Sequence, residues 1–474
     1  MDKENQAITY EKENLKRGLK SRHLEMIAIG GAIGTGLFYG SSWAIRTAGP
    51  AILCTYIFAS IAVYLIMRFL GEMAIEEPVS GSFISYANRY VHRFAGFLTG
   101  WNAFVFLLAT SSAELNALGH YIQFWFPDVP VWITAASAII LLFVVNIISV
   151  RIYGEAEFWF SMIKVLAIVA FIIFGFIMIL WGIGGYEPIG FRNLYEHGGF
   201  MPHGWSGLFL CLVMVAFSFG GIENLGQAAG EVEDVQKNMR KAVNATFWRL
   251  LIFYVGAIFV LVTIFPWDQL TGHGSPFVEV FSMIGIPAAA SIMNVVVITA
   301  VLSTVNSQIF TNSRAFYNLS LQHNAPHILS KVNKGNVPAY AIALVFILML
   351  CGVLLNYMIP ERVFVIFSSV TVFGELCNWT AITLSHLRFR KRRMELGTAE
   401  TIHFKSPLYP YADYFVLFFM ALIVLCIAVL PDMRISLVIS ALWVCVVFLA
   451  YKFYTRRQSE SETRTVVVSS DKKL

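Results

Sequence analysis

Apolar runs recur from one end of the chain to the other, separated by short segments that hold nearly all of the charge. Twelve of these runs come close to the roughly 20 residues that a helix needs to cross a bilayer. They predict spans over about 25–45, 50–75, 97–121, 131–150, 158–182, 207–230, 246–265, 287–320, 338–357, 362–387, 412–430 and 436–454. No stretch of ordinary amphipathic pattern is long enough for a separate soluble domain. The expected class is an all-α polytopic membrane protein.

Two of these spans interrupt themselves. In the first, Gly30, Gly31, Gly34 and Gly36 crowd together around Ala32 and Ile33. In the sixth, Phe217-Ser218-Phe219 runs into Gly220-Gly221. Glycine costs a helix interior about 1 kcal/mol relative to alanine, and lipid cannot bond the backbone groups that an open turn frees. One reading is close helix packing through small residues. The other is a backbone opened toward a cavity. Two clusters at matching places in the two halves favour the opening, since paired interruptions point to a binding site at the middle of the membrane.

An open turn leaves amides at one half-helix end and carbonyls at the other, so a partial positive pole faces a partial negative one. A zwitterion suits that arrangement. Its carboxylate would accept from the amides of Thr35 and Gly36, and its ammonium would donate to carbonyls near Ala32, Phe217 and Ser218. Thr35 adds a hydroxyl, Phe217 an aromatic wall and Gly220 room for a side chain. The candidate binding set is Ala32, Ile33, Gly34, Thr35, Gly36, Phe217, Ser218, Phe219 and Gly220.

Composition strengthens the membrane reading. The chain is 57% hydrophobic and only 13% charged, with a mean hydropathy of +0.68; soluble domains average about 25% charged. The net charge is +5, and its placement alternates. Loops after odd spans hold only Arg46, Arg192, Arg362 and Arg434. The other side holds Lys16, Arg17, Lys20, Arg22, Arg89, Arg93, Arg151, Lys237, Arg240, Lys241, Lys331, Lys334, the run Arg388–Arg393 and Arg456-Arg457. The positive-inside rule then sets both termini in the cytoplasm, with the chain in the inner (cytoplasmic) membrane. The 388–393 run reads as a topology anchor in the lipid bilayer, not as a nucleic-acid patch. Six cysteines all lie in predicted spans without a CxxC pair, as small apolar residues, so neither a disulfide framework nor a metal site is expected. The first 24 residues carry no cleavable signal. The tail after Tyr454 is polar and expected to be disordered.

Ionisable residues at membrane depth are costly and usually functional. Lys164 lies in an apolar stretch of the fifth span, with snorkelling to the interface as the competing reading. Glu114, in the third span, has three open roles (carrying a proton, pairing with a positive group, binding a substrate side chain) and a fourth reading near the outer water. Glu223 follows the second break and either orders that turn or relays a proton. Glu72 reads as a structural or gating contact. Ser303, Thr304, Asn306 and Ser307 in the eighth span face partly inward and either line a cavity or bond their own backbone. There is no Walker loop for ATP drive, no metal-ligand histidine pair and no nucleophile–base pair.

Several strings carry a resemblance: GGAIGTGLFYGS at 30–41, LGEMAIEEPVSGSFISYA at 70–87, GEAEFWFSMIKV at 154–165, FSFGGIE at 217–223 with AGE at 229–231, LSTVNSQIFTNSRAFYNLSLQHNAP at 302–326, and LSHLRFRKR at 384–392. In this order, over nearly the whole chain, they resemble bacterial amino-acid permeases of the amino acid–polyamine–organocation superfamily, in its amino-acid transporter family. HGGF at 197–200 and GSPFV at 274–278 bring it nearest to proline- and histidine-type permeases. One departure is the segment from Glu231 to Met239, which lacks the proline usual there and bears on gating kinetics.

The resemblance implies a leucine-transporter-like fold of five plus five inverted helices and two more. Residues 1–24 would be a cytoplasmic segment, 25–387 the transport core with repeats at about 25–182 and 207–387, 388–411 a basic cytoplasmic loop, 412–454 the two further helices and 455–474 the tail. It also implies secondary-active, proton-coupled import of a zwitterionic amino acid (neutral, proline- or histidine-like, or aromatic) by alternating access, with the proton as coupling ion and no other cofactor. Lys164 stands where sodium-coupled relatives hold a cation, so its implied role is a titrating amine that steadies the first span against the scaffold, with Glu114 and Glu223 as further proton-coupling candidates. An exchanger and an amino-acid sensor on the same fold stay open; a membrane enzyme ranks last. The particular amino acid and the oligomeric state are not legible.

Overall fold

Helices form along the apolar runs. The computed structural model describes residues 33–79, 81–148, 150–182, 187–223, 226, 235–271, 274–283, 287–321, 324–333 and 337–471. Among these residues ten stretches are long and apolar enough to cross a membrane, and there are no strands. The stretch Gly36–Glu76 has 41 residues, roughly twice the span a bilayer needs. It is interrupted at Gly49, whose φ of 62° and ψ of −151° leave the helical region. A side chain at 49 would also run into Pro202, so only glycine can make this corner. The stretch is therefore two elements: α1 (Ser41–Ala48, entered through a π-helical turn at Gly36–Gly40) and α2 (Ile52–Glu76).

The remaining elements are α3 (Arg93–Gln123), α4 (Val131–Ile148), α5 (Val150–Leu180), the shorter α6 (Gly204–Ser218), α7 (Met239–Ile264), α8 (Pro287–Leu321), α9 (Ala339–Met358), α10 (Pro360–Glu395), α11 (Tyr411–Val429) and α12 (Arg434–Asp471). Among the described residues, a helix thus overlaps each of the twelve predicted spans. From Gly36 to Ala48 the rise is roughly 20 Å at ~1.5 Å per residue, short of a ~30 Å hydrocarbon core. Like α6, α1 is a half-length helix.

α3 is the central support, with α4, α8, α9 and α10 packed along it. α5 lies against α8 and α7, and α2 against α7 and α11. The half-helices α1 and α6 pack on each other inside this frame, and α10 reaches α6. Exposed Trp181 and Trp205 lie toward one end of the bundle, and exposed Trp159 and Trp248 toward the end rich in arginine, as interfacial aromatic belts require. The chain is a multi-pass membrane protein.

Two expectations are corrected. The run Arg388–Arg393 does not begin a loop; α10 continues through it to Glu395. Its arginines find distant partners: Arg388 donates to the carbonyls of Tyr90 and Val91, Arg390 Nε lies 2.6 Å from Glu72 Oε1, and Arg393 lies 3.4 Å from Glu77. Glu77 also takes Arg89 at 2.7 Å and the Tyr90 hydroxyl at 2.6 Å. Burial first, and the bond to the Glu77 carboxylate second, hold the Tyr90 phenol well above its ordinary range. The tail also departs from expectation, because the helical backbone of α12 runs on to Asp471. No glycine or proline interrupts 434–474.

Candidate functional site

The opened turn of the first span is held from two sides by opposite charges. Ile33 and Gly34 are non-helical, and helix begins at Thr35. Lys164, on α5 and 0% exposed, donates its ammonium to the carbonyl of Ile33 at 3.1 Å and to Ser303 Oγ at 2.9 Å. Two residues on, the amide of Thr35 points at Glu114 Oε1 of α3, 3.4 Å away. A cation therefore meets the carbonyl side of the break and a carboxylate the amide side, which is the complementarity that exposed helix ends favour. Gly34 lets both walls close in: a Cβ there would come within 2.9 Å of Glu114 Oε1 and 3.0 Å of Thr304 Oγ1.

Behind Lys164 lies a buried polar chain. Ser303 Oγ donates to Glu157 Oε1 at 2.5 Å, Ser161 donates to the same oxygen at 3.2 Å, and Asn306 donates to Glu157 Oε2 at 3.2 Å. Asn146 of α4 donates to Asn306 at 2.8 Å. An isolated lysine at this depth would carry a large desolvation cost. Here Glu157 supplies the counter-charge through one hydroxyl, and hydrogen bonds satisfy both of its oxygens.

The second break touches the first. α6 ends at Ser218, and Phe219–Glu223 turn with Gly221 at φ +83°. A Cβ on Gly36 would overlap Ser218 Cα, and would lie 2.8 Å from Ser218 N and 3.0 Å from Phe217 O. Tyr254 of α7 donates to the Ser218 carbonyl at 2.8 Å, and the hydroxyls of Tyr56 and Ser218 are 3.1 Å apart. Toward the end away from the arginines, rings close over the breaks. Phe364 of α10 stands 4.5 Å from Tyr39 and 5.8 Å from Phe217, both edge to face. Beyond the turn, Glu223 accepts from Asn378 and from Trp379 Nε1, each at 3.2 Å.

Two interrupted half-helices in contact at mid-bundle, inside a frame of continuous helices, is an arrangement that the known proteins similar to this chain put in context. A family model described as amino acid permease matches residues 23–463. The chain belongs to the amino acid permease family. Bacillus subtilis (strain 168) has an uncharacterized amino acid permease, YtnA, that is 45% identical over 93% of this chain and 95% of its own length. The aromatic amino acid transport protein AroP of Escherichia coli (strain K12) is 42% identical over 93% and 96%. The amino-acid permease AapA of Bacillus subtilis (strain 168) is 42% identical over 94% and 96%. These relatives set the chain among amino-acid transporters and apart from enzymes.

In this permease the residues singled out in the sequence are brought together unequally. Ile33, Gly34, Thr35, Gly36, Phe217, Ser218, Lys164, Glu114, Ser303 and Thr304 meet around the two breaks. Ala32 lies outside the described residues. Phe219 faces Tyr254 at 4.7 Å and Tyr56 at 5.8 Å, on the side away from the Phe364 lid. Asn306 serves Glu157, while Ser307 Oγ has no partner among the described residues. Thr304 also bonds its own backbone at Ala300. Glu223 is tied to α10. Glu72 belongs to a separate buried cluster at the basic end: His386 lies between Glu72 Oε2 at 3.2 Å and Asp413 Oδ1 at 2.6 Å, with Arg390 on the other Glu72 oxygen.

Sequence reasoning missed Glu157, Glu375, Tyr254 and the His386–Asp413 pair. For Glu157 a signal existed. It precedes Lys164 by two helical turns, a spacing that returns to the same face.

Proposed function

We propose that this permease is a proton-coupled importer of a zwitterionic amino acid, neutral, proline- or histidine-like, or aromatic, working by alternating access in the inner (cytoplasmic) membrane. Both termini lie in the cytoplasm on this reading, supported by the concentration of lysine and arginine at one end of the bundle. The observation that carries the reading is the contact between the two breaks, with Lys164 on the carbonyl of one and Glu114 on its amide. The substrate's carboxylate takes the amide side at Thr35 and Gly36, and its ammonium takes carbonyls at Phe217 and Ser218.

Coupling runs through Lys164. As an ammonium it binds the Ile33 carbonyl with a charge-assisted bond and offsets Glu157. When the proton leaves, the bond to α1 weakens and Glu157 loses its counter-charge, so α1 and α6 are freed to rock against α3, α5, α8 and α10. Phe217, Phe364 and Tyr39 close one side.

The test is uptake by purified protein in liposomes. An imposed inward proton gradient should drive accumulation of labelled amino acid, and Lys164→Ala should abolish that accumulation while leaving counterflow exchange. Uptake indifferent to the gradient would remove the coupling. Counterflow without accumulation would make the protein an exchanger, and binding without turnover a sensor.

A further inference from the structure

A third carboxyl group lies at the breaks and has no evident employment. Glu375 of α10 is 0% exposed, and neither of its oxygens has a hydrogen-bond partner among the described residues. The polar groups one turn along α10, Asn378 and Trp379, are both turned to Glu223. Among the described residues the buried cations are engaged elsewhere: Lys164 with Ile33 and Ser303, Arg314 with the Phe310 carbonyl, and His386 and Arg390 with Glu72 and Asp413. A carboxyl group sealed from water with both oxygens unmet leaves its whole desolvation cost uncompensated.

Its position says what could meet that cost. Glu375 lies against Gly220, so closely that a Cβ at 220 would overlap Oε1. Glycine at 220 is what lets the carboxyl reach the backbone of the second break, two residues past Ser218. Along α10 it sits midway between Phe364 of the aromatic lid and His386 of the basic-end cluster, roughly 16 Å from each at ~1.5 Å per residue. A substrate whose carboxylate and ammonium lie on Thr35 and Ser218 would carry its side chain past Gly220 toward this group.

We propose that Glu375 is a specificity-determining residue: the permease prefers amino acids whose side chain carries a positive charge, an imidazolium, ammonium or guanidinium, which pairs with the Glu375 carboxylate beside Gly220. This rests on the amino-acid transport reading and names the substrate class within it. Histidine falls within the range already named, and lysine and arginine extend it.

The experiment compares isosteric pairs, lysine against norleucine and histidine against phenylalanine, for uptake into liposomes by the wild type and by Glu375→Gln. The wild type should show a KM at least tenfold lower for the basic member of each pair. Glu375→Gln should lose that preference through KM, with kcat and uptake of the neutral member unchanged. Equal KM values within the pairs in the wild type, or a preference that survives Glu375→Gln, overturns the proposal. So does loss of gradient-driven uptake of every substrate with counterflow intact, which would make Glu375 a proton carrier. If the wild type moves no amino acid, the transport reading falls. Thermal unfolding in detergent then decides specificity alone: stabilisation by lysine and not by norleucine supports it, and equal or absent stabilisation overturns it. That wild-type comparison also decides if Glu375→Gln fails to fold.

Discussion

The contact between the breaks can be tested at a single methyl group. Gly36 stands at the start of the π-helical turn, and its φ lies outside the left-handed region, so alanine could adopt its backbone. By helix propensity alone Gly36→Ala should gain about 1 kcal/mol. The neighbours decide otherwise. The new Cβ would overlap Ser218 Cα and crowd Ser218 N at 2.8 Å and Phe217 O at 3.0 Å. All three are backbone atoms that no rotamer change can move. Overpacking against side chains costs about 1–3 kcal/mol, and a backbone obstacle belongs at the upper end, leaving a net loss of about 2 kcal/mol after the propensity gain. Gly40 is the internal control. Its nearest atoms, from Met214, Phe217 and Phe364, are each 3.8 Å from a built Cβ, an ordinary contact, so Gly40→Ala should keep the full gain.

The two substitutions should therefore differ by about 3 kcal/mol, near two decades in an equilibrium between joined and separated breaks. Thermal unfolding in detergent should give a lower midpoint for Gly36→Ala than for the wild type, and a midpoint for Gly40→Ala at or above it. Liposome uptake should fall tenfold or more for Gly36→Ala alone. If the two variants unfold and transport alike, α1 and α6 do not meet at this point and the site loses its floor.

Lys164→Met should destabilise by roughly 3–5 kcal/mol, because Glu157 is left buried without its counter-charge; adding Glu157→Gln should restore most of the unfolding midpoint without restoring gradient-driven uptake, and additive losses in the double variant would refute the pairing. Ser303→Ala removes the hydroxyl between these two groups and should lower stability by about 1–3 kcal/mol, read in the same assay. His386→Leu should cost about 3–5 kcal/mol by stranding Asp413, while Glu72 keeps Arg390, visible as loosening of α11 in hydrogen exchange; undiminished protection there would count against the cluster as an anchor. Gly49→Ala should lower the unfolding midpoint, since φ of 62° costs a side chain about 1–3 kcal/mol before the collision with Pro202.

The spans were legible because lipid imposes one length and one composition on every helix that crosses it. The first break was legible because four glycines are hard to explain in a helix interior. What the sequence hid are contacts made across long separations. Arg390 and Arg393 read as loop residues until Glu72 and Glu77, more than 300 positions earlier, explain why α10 continues through them. Glu223 and Glu375 look alike on paper, yet one is bonded by Asn378 and Trp379 while the other has no bond among the described residues. No local pattern separates a satisfied carboxylate from an unsatisfied one. Glu157 was hidden for another reason: it stands in a quoted string beside a more conspicuous lysine, and only its helical phase joins the two.

The way the first break is bound also constrains how a ligand can enter it. The Thr35 amide is offered to Glu114 over 3.4 Å, long for a hydrogen bond to a charged acceptor and correspondingly weak. A carboxylate arriving at Thr35 must share or displace that contact, and two carboxylates at one amide repel unless a proton or a cation lies between them. On the other side, the Ile33 carbonyl is already engaged at 3.1 Å by a full ammonium, so an arriving ammonium is steered toward the α6 carbonyls. The break is thus asymmetric. Its amide side is loosely held and exchangeable, and its carbonyl side is anchored to α5 and α8 through Lys164 and Ser303. On the proposed import reading, a zwitterion would therefore enter with its carboxylate toward Thr35, against Glu114, and its ammonium away from Lys164. On the same reading, substrate and proton then act on opposite sides of one opened turn, Glu114 on its amide and Lys164 on its carbonyl, and α1, which carries both contacts, is where the two meet.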